Sequence, residues 1–168
     1  ENLLRWTRNQ NGKTKIYATL FNLTPVARQV VSLFSAIANA KEIELINRIE
    51  GKFDIFADED MIKTVLRNLI SNAIKFTYTG GQVELSLADS GDYWTIYVKD
   101  NGKGIPKDLQ AHLLKSDEYI TTYGTHNEKG SGLGLILCRD FIRMNKGKLH
   151  FCSQEGIGTT FYFTIPKA

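Results

Sequence analysis

Apolar residues recur at Ile62, Val65, Leu66, Leu69, Ala73 and Phe76, the three- and four-residue spacing of one helix face. The pattern predicts a helix from near Asp58 to Thr77. Upstream, Glu1 to Gln10 reads as the end of a helix that Asn11-Gly12 stops. Ile16 to Phe21 alternates as an edge strand. Thr24 as N-cap and Pro25 at the first position start a second helix that runs to about Ala40. Its apolar side is Val26, Val30, Leu33, Phe34 and Ile37. Glu44 to Ile49 and Phe53 to Ala57 read as two short strands. Downstream, Gln82 to Ala88 and Trp94 to Val98 alternate around the turn chemistry of Asp89 to Asp92, which predicts a hairpin. A short helix near Lys107 to Leu114 follows, then Lys115 to Lys129, polar and aperiodic. Gly130-Ser131-Gly132-Leu133-Gly134-Leu135 opens a helix reaching about Met144, and Lys148 to Ser153 and Thr159 to Ile165 close the chain as strands. The expected class is α+β, a two-layer α/β sandwich with a mixed, mostly antiparallel sheet and three main helices on one face.

Three polar residues on the first helix change that picture. Asn68, Asn72 and Lys75 share one stripe. Two amide carbonyls and a lysine nitrogen in line offer oxygen to a hard metal ion and positive charge to phosphate. A solvated polar face has the same pattern, so the stripe alone leaves both readings open.

Composition narrows the classes. A chain of 168 residues fits one domain of roughly 100–200 residues. A net charge of +3 with scattered Lys and Arg argues against nucleic acid. No apolar run approaches the roughly 18 residues of a membrane span, so no membrane contact is expected of this chain. The N-terminus has no signal pattern. Cys138 and Cys152 carry no metal-type spacing and read as two buried, reduced thiols of a cytosolic protein. His112, His126 and His150 are isolated.

Two glycine clusters add chemistry. Asp100 ends a strand and is followed by Gly102 and Gly104. A carboxylate there can accept from an exocyclic amine such as adenine's, and the glycines let backbone pass close to a flat ligand. A plain turn is the alternative. Gly130 to Gly134 precedes a helix, where amides and the helix N-terminus form an anion site; a glycine-rich hinge is the alternative. The spacing fits neither the dinucleotide-binding fingerprint nor a Walker loop.

In this order the clusters resemble the ATP-binding catalytic domain of sensor histidine kinases, of the Bergerat-type fold. Asn68 to Thr77 is similar to the N-box, Asp100 to Gly104 to the first glycine box, and Gly130 to Gly134 to the second. Gly156-Ile157-Gly158-Thr159-Thr160-Phe161 is similar to the last. The resemblance spans about Phe21 to Pro166. It implies that residues 16–168 are the catalytic domain and 1–15 the remnant of a dimerisation helix and its linker.

The resemblance implies Mg²⁺ on Asn72 with Asn68 beside it, phosphate charge on Lys75, and the adenine amine on Asp100. Gly102, Gly104 and Ile105 would shape the purine slot. Lys115 to Lys129 would be the ATP lid. The amides of Gly130, Gly132, Gly134 and Leu135 would cradle the phosphates, with Lys129 and Leu133 alongside. Thr159 would face adenine through water.

ATP and Mg²⁺ are the implied ligands, and a phosphoacceptor helical hairpin and a response regulator the implied partners, in the cytoplasm of a parent that can be membrane-anchored. The accepting histidine is expected upstream of Glu1. Two departures stand out. Leu113-Leu114 and Tyr119-Ile120 occupy a region where the family carries phenylalanines, and Tyr78 replaces a proline after Thr77. Gyrase- and chaperone-type ATPases of this fold place a glutamate where Asn68 stands, which argues against hydrolysis; an ATP-sensing module without transferase activity is the other alternative.

Overall fold

Alternation along the strands and three- to four-residue spacing along the helices produce two layers. The computed structural model describes residues 14–114, 124–125 and 133–168. Five strands form the main sheet: β2 (Glu44–Asn47), β4 (Gln82–Ser90), β5 (Tyr93–Asp100), β7 (Gly158–Pro166) and β6 (Leu149–Gln154), in that spatial order. β2 pairs with β4 in parallel, and every other pairing in it is antiparallel. β1 (Thr19–Asn22) and β3 (Asp54–Ala57) form a separate antiparallel pair. Helices α1 (Leu23–Ala40), α2 (Glu59–Phe76) and α4 (Gly134–Met144) are the long ones, and α3 (Lys107–Gln110) is a single turn.

Register explains where the core ends and a polar floor begins. Leu87, Ile96, Phe163 and Leu149 lie in one row across four strands, and Leu85, Val98, Phe161 and Phe151 in the next. Both rows join the apolar core with Ile62, Leu66, Leu69 and Ile70 of α2 and Leu137, Phe141 and Ile142 of α4. The third row on the same face is Val83, Asp100, Thr159 and Ser153. The alternation that buries two apolar rows therefore delivers a carboxyl and two hydroxyls to the rim of the core. The opposite face carries Tyr97 stacked on Tyr162 and Tyr162 on His150.

Several local expectations are corrected. Asn22, not Thr24, caps α1: its Oδ1 accepts from Thr24 N at 3.2 Å and Phe53 N at 3.1 Å, while Thr24 Oγ1 donates to Gly51 O at 2.7 Å. Leu33 and Ile37 are each 56% exposed. Among the described residues α1 packs chiefly against α2 and β2, so its buried stripe is narrower than its apolar one. Phe76 is half-buried rather than core; Lys75 Nζ and Lys103 Nζ lie 4.9 and 5.2 Å from its ring centroid. Cys138 is buried, but Cys152 is exposed because its side chain falls on the outer sheet face beside Thr160. The strands flanking Gly51 join different sheets. The expected helix at Glu1 to Gln10 and most of Lys115 to Lys129 lie outside the described residues.

Candidate nucleotide site

Four close approaches, three to backbone oxygens and one to a side chain, bring the glycine clusters and the polar helix together. A Cβ on Gly102 would stand 2.1 Å from Phe76 O, at the end of α2. A Cβ on Gly104 would stand 2.1 Å from Gln154 O, and one on Gly158 2.1 Å from Asp100 O. No side chain fits at such distances. Hydrogen bonds run along these contacts: Lys103 N donates to Phe76 O at 3.0 Å, and Gly156 N to Lys103 O at 2.7 Å. Midway along α2, a Cβ on Gly134 would lie 3.0 Å from Asn68 Oδ1. Gly134 opens α4, so the start of that helix faces the asparagine stripe.

Asp100 is the chemical centre of the row. It is 6% exposed. Its Oδ1 accepts from Gly102 N at 2.9 Å and Thr159 N at 3.3 Å. Among the described residues no donor reaches Oδ2. Burial pushes the carboxyl up to about 6, against the lowering effect of the Gly102 and Thr159 N–H groups. A buried carboxylate oxygen without a partner is costly, and a ligand amine removes that cost. Around it, Ser153 Oγ lies 2.8 Å from Thr159 Oγ1 and accepts from Ile105 N at 2.9 Å. Gln110 Nε2 donates to Ile105 O at 2.7 Å. Ile105 also packs against the core. The slot thus has a rigid polar rim and an apolar wall.

On the stripe, Asn68 Nδ2 donates to Thr64 O at 2.9 Å. That bond fixes the amide flip and leaves Oδ1 toward Gly134. Asn72, one turn on, is half-buried, and among the described residues nothing partners its side-chain amide. The Asn68 oxygen, fixed by that bond, and the Asn72 amide, not taken up by a described partner, suit a hard divalent cation completed by water and phosphate, so the residues present fit Mg²⁺. Lys75 follows at the last turn. Leu133 is buried, and Leu135 packs partly against the core. Lys129, Gly130 and Gly132 lie outside the described residues.

Sequence reasoning missed three contributors. Ser153 ties Ile105 to Thr159. Thr125 N and Oγ1 donate to Lys75 O at 3.0 and 3.4 Å, and Oγ1 also to Thr77 O at 2.8 Å. Lys41, only 7% exposed, donates to Ile74 O and Lys75 O, each at 3.0 Å. Strand alternation carried a signal for Ser153, two residues after Phe151; nothing local marked the other two.

Comparison with known proteins identifies the family and the fold. The family described as histidine kinase-, DNA gyrase B-, and HSP90-like ATPase matches residues 57–168. The adaptive-response sensory kinase SasA of Crocosphaera subtropica is 30% identical over 166 residues, 98% of this chain and 43% of that protein. The chain thus spans less than half of that relative. The catalytic domain of the histidine kinase ThkA superposes with a TM-score of 0.77 at 31% identity, covering 90% of this chain and 98% of the other. ThkA in complex with the response regulator TrrA gives 0.76 at 26% identity, covering 99% and 48%. Full-length ShkA in complex with AMPPNP gives 0.83 at 27%, covering 99% and 35%.

Proposed function

Because the chain belongs to the histidine kinase-, DNA gyrase B- and HSP90-like ATPase family, we propose that it is the catalytic domain of a two-component sensor histidine kinase. Residues 16–168 bind Mg-ATP, and residues 1–15 continue from a dimerisation helix. Asp100 Oδ2 accepts from the adenine amine, with Gly102, Gly104 and Ile105 shaping the slot and Thr159 reaching adenine through water. Asn72, with Asn68 beside it, holds Mg²⁺, which supplies charge neutralisation along the triphosphate. Lys75, with Lys129, Leu133 and the amides of Gly130, Gly132, Gly134 and Leu135, receives the phosphates at the start of α4.

The chain then presents the γ-phosphate to a histidine on the upstream helical hairpin, of the same subunit or its dimer mate. From there the phosphoryl group passes to a response regulator in the cytoplasm. Little covalent work falls to the protein in such a transfer; positioning and electrostatics carry it. Asn68 supports transfer over hydrolysis, since a carboxamide cannot act as the general base for water.

The observation that carries the reading is the buried Asp100 carboxyl, one oxygen held by two N–H groups and the other without a protein donor. Guanine offers a carbonyl where adenine offers an amine, so two acceptors would meet at Oδ2. Calorimetric titration with Mg-ATP and Mg-GTP tests this. ATP binding with GTP rejected is expected; equal affinity would overturn the adenine assignment.

A further inference from the structure

Helix α2 ends without the usual device. Its C-cap, Thr77, is extended at φ −92° and ψ 136°, so no left-handed residue turns the chain back to satisfy the last carbonyls. Thr77 itself and three other segments hold those carbonyls instead. Thr77 Oγ1 donates to Ala73 O at 2.7 Å. Lys103 N takes Phe76 O, and Thr125 takes Lys75 O and Thr77 O. Lys41, arriving from the end of α1, takes Ile74 O and Lys75 O. The helix dipole favours a cation at this end.

We propose that Lys41 is a positioning residue for the phosphate end of the nucleotide site. Its Nζ fixes the turn whose next atoms carry the Lys75 side chain, and so aims Lys75 at the phosphates. Burying a lysine amino group is costly, and a plain surface cap needs no such burial. Lys75 O is held from two sides, by Lys41 and by Thr125, which immobilises the backbone from which Lys75 projects. The same turn abuts Gly102 through Phe76 O. Lys41 is therefore anchored where the purine and phosphate halves of the site meet, while its own chain position is just past the end of a different helix. The inference rests on Lys75 being a phosphate ligand.

The test is a double-mutant cycle on Mg-ATP affinity, measured by calorimetry, with nucleotide-free thermal unfolding beside it. Lys41→Met should weaken Mg-ATP by about tenfold, within the range that residues without ligand contact exert on a coupled site. Lys75→Met should weaken it as well, and Lys41→Met should cost nothing further in the Lys75→Met background. Lys41→Arg, which can donate to both carbonyls, should restore most of the affinity. Lys41→Gln, which keeps a polar terminus in the same cavity, carries the cycle where the methionine variant does not fold. Additive losses, or a Lys41→Met or Lys41→Gln variant that folds and binds as the parent does, would overturn the positioning role. Absence of Mg-ATP binding by the parent chain would overturn the nucleotide reading itself, and the two failures are distinct.

Discussion

Replacing Asp100 with asparagine exchanges one oxygen for an NH₂ group in a site where both oxygens have acceptor work. Oδ1 accepts from Gly102 N and Thr159 N, and Oδ2 is the oxygen assigned to the adenine amine. An amide can satisfy one side only; in either flip its NH₂ group meets a donor. Loss of a charge-assisted hydrogen bond costs on the order of 1.5–3 kcal/mol, so ATP affinity should fall between about tenfold and a hundredfold. Stability should move the other way. The carboxyl stands at about 6 instead of 3.8, so carrying its charge at neutral pH costs the fold about 3 kcal/mol. The neutral amide avoids that cost but leaves a buried NH₂ without a partner, a penalty of roughly 1–3 kcal/mol. The nucleotide-free variant should therefore be about 1 kcal/mol more stable, or about 3 °C higher in Tm. Calorimetry and thermal unfolding read the two effects separately. Unchanged ATP affinity, or a Tm that falls together with affinity, would refute the reasoning.

Five further outcomes follow from the same geometry. Asn72→Ala should preserve or slightly raise Tm, because alanine is the better helix former, while removing the difference between Mg²⁺ and EDTA in ATP titrations; Asn72→Asp should alter the metal dependence without abolishing it. ATP affinity, taken relative to Asp100→Asn at each pH, should fall as pH drops through about 6, where Asp100 gains a proton. Because that carboxyl is raised on folding, its contribution to nucleotide-free stability runs oppositely, full below 3.8 and lost as pH rises through about 6; chemical denaturation across that window checks the sign. Gly102→Ala should cost about 3 kcal/mol by driving Cβ into Phe76 O, against about 1–2 kcal/mol for Gly80→Ala, which has open space and only a positive φ to strain. Ellman's reagent should titrate Cys152 in the native protein and Cys138 only after unfolding, since Cys138 is fully buried and burial pushes its thiol up.

Asp100 was legible because a strand end followed by two glycines is a local pattern, and its burial follows from the alternation that buries Ile96 and Val98. The stripe of Asn68, Asn72 and Lys75 was legible from helical spacing alone. Long-range partners were not. Lys41 looks like any lysine after a helix; its burial depends on how α1 meets the end of α2, which no local spacing encodes. Asn22 displaced Thr24 as the cap of α1 because Phe53 N approaches from just before β3 and shares the Asn22 oxygen. Leu33 and Ile37 continue the apolar spacing of α1, yet which part of that stripe is covered depends on its neighbours. Cys152 has the composition of a core residue, and only the register beside Thr160 turns it outward.

Transfer of the γ-phosphate can be measured directly. The chain is incubated with γ-³²P-labelled Mg-ATP and a separate fragment carrying the upstream helical hairpin of the parent protein. Label is expected on that fragment, stable to base and labile to acid as a phosphohistidine is, and lost with Asn72→Ala. Steady release of inorganic phosphate with no labelled fragment would contradict it in favour of a water-activating ATPase, and ATP binding with neither product would contradict it in favour of a sensing module.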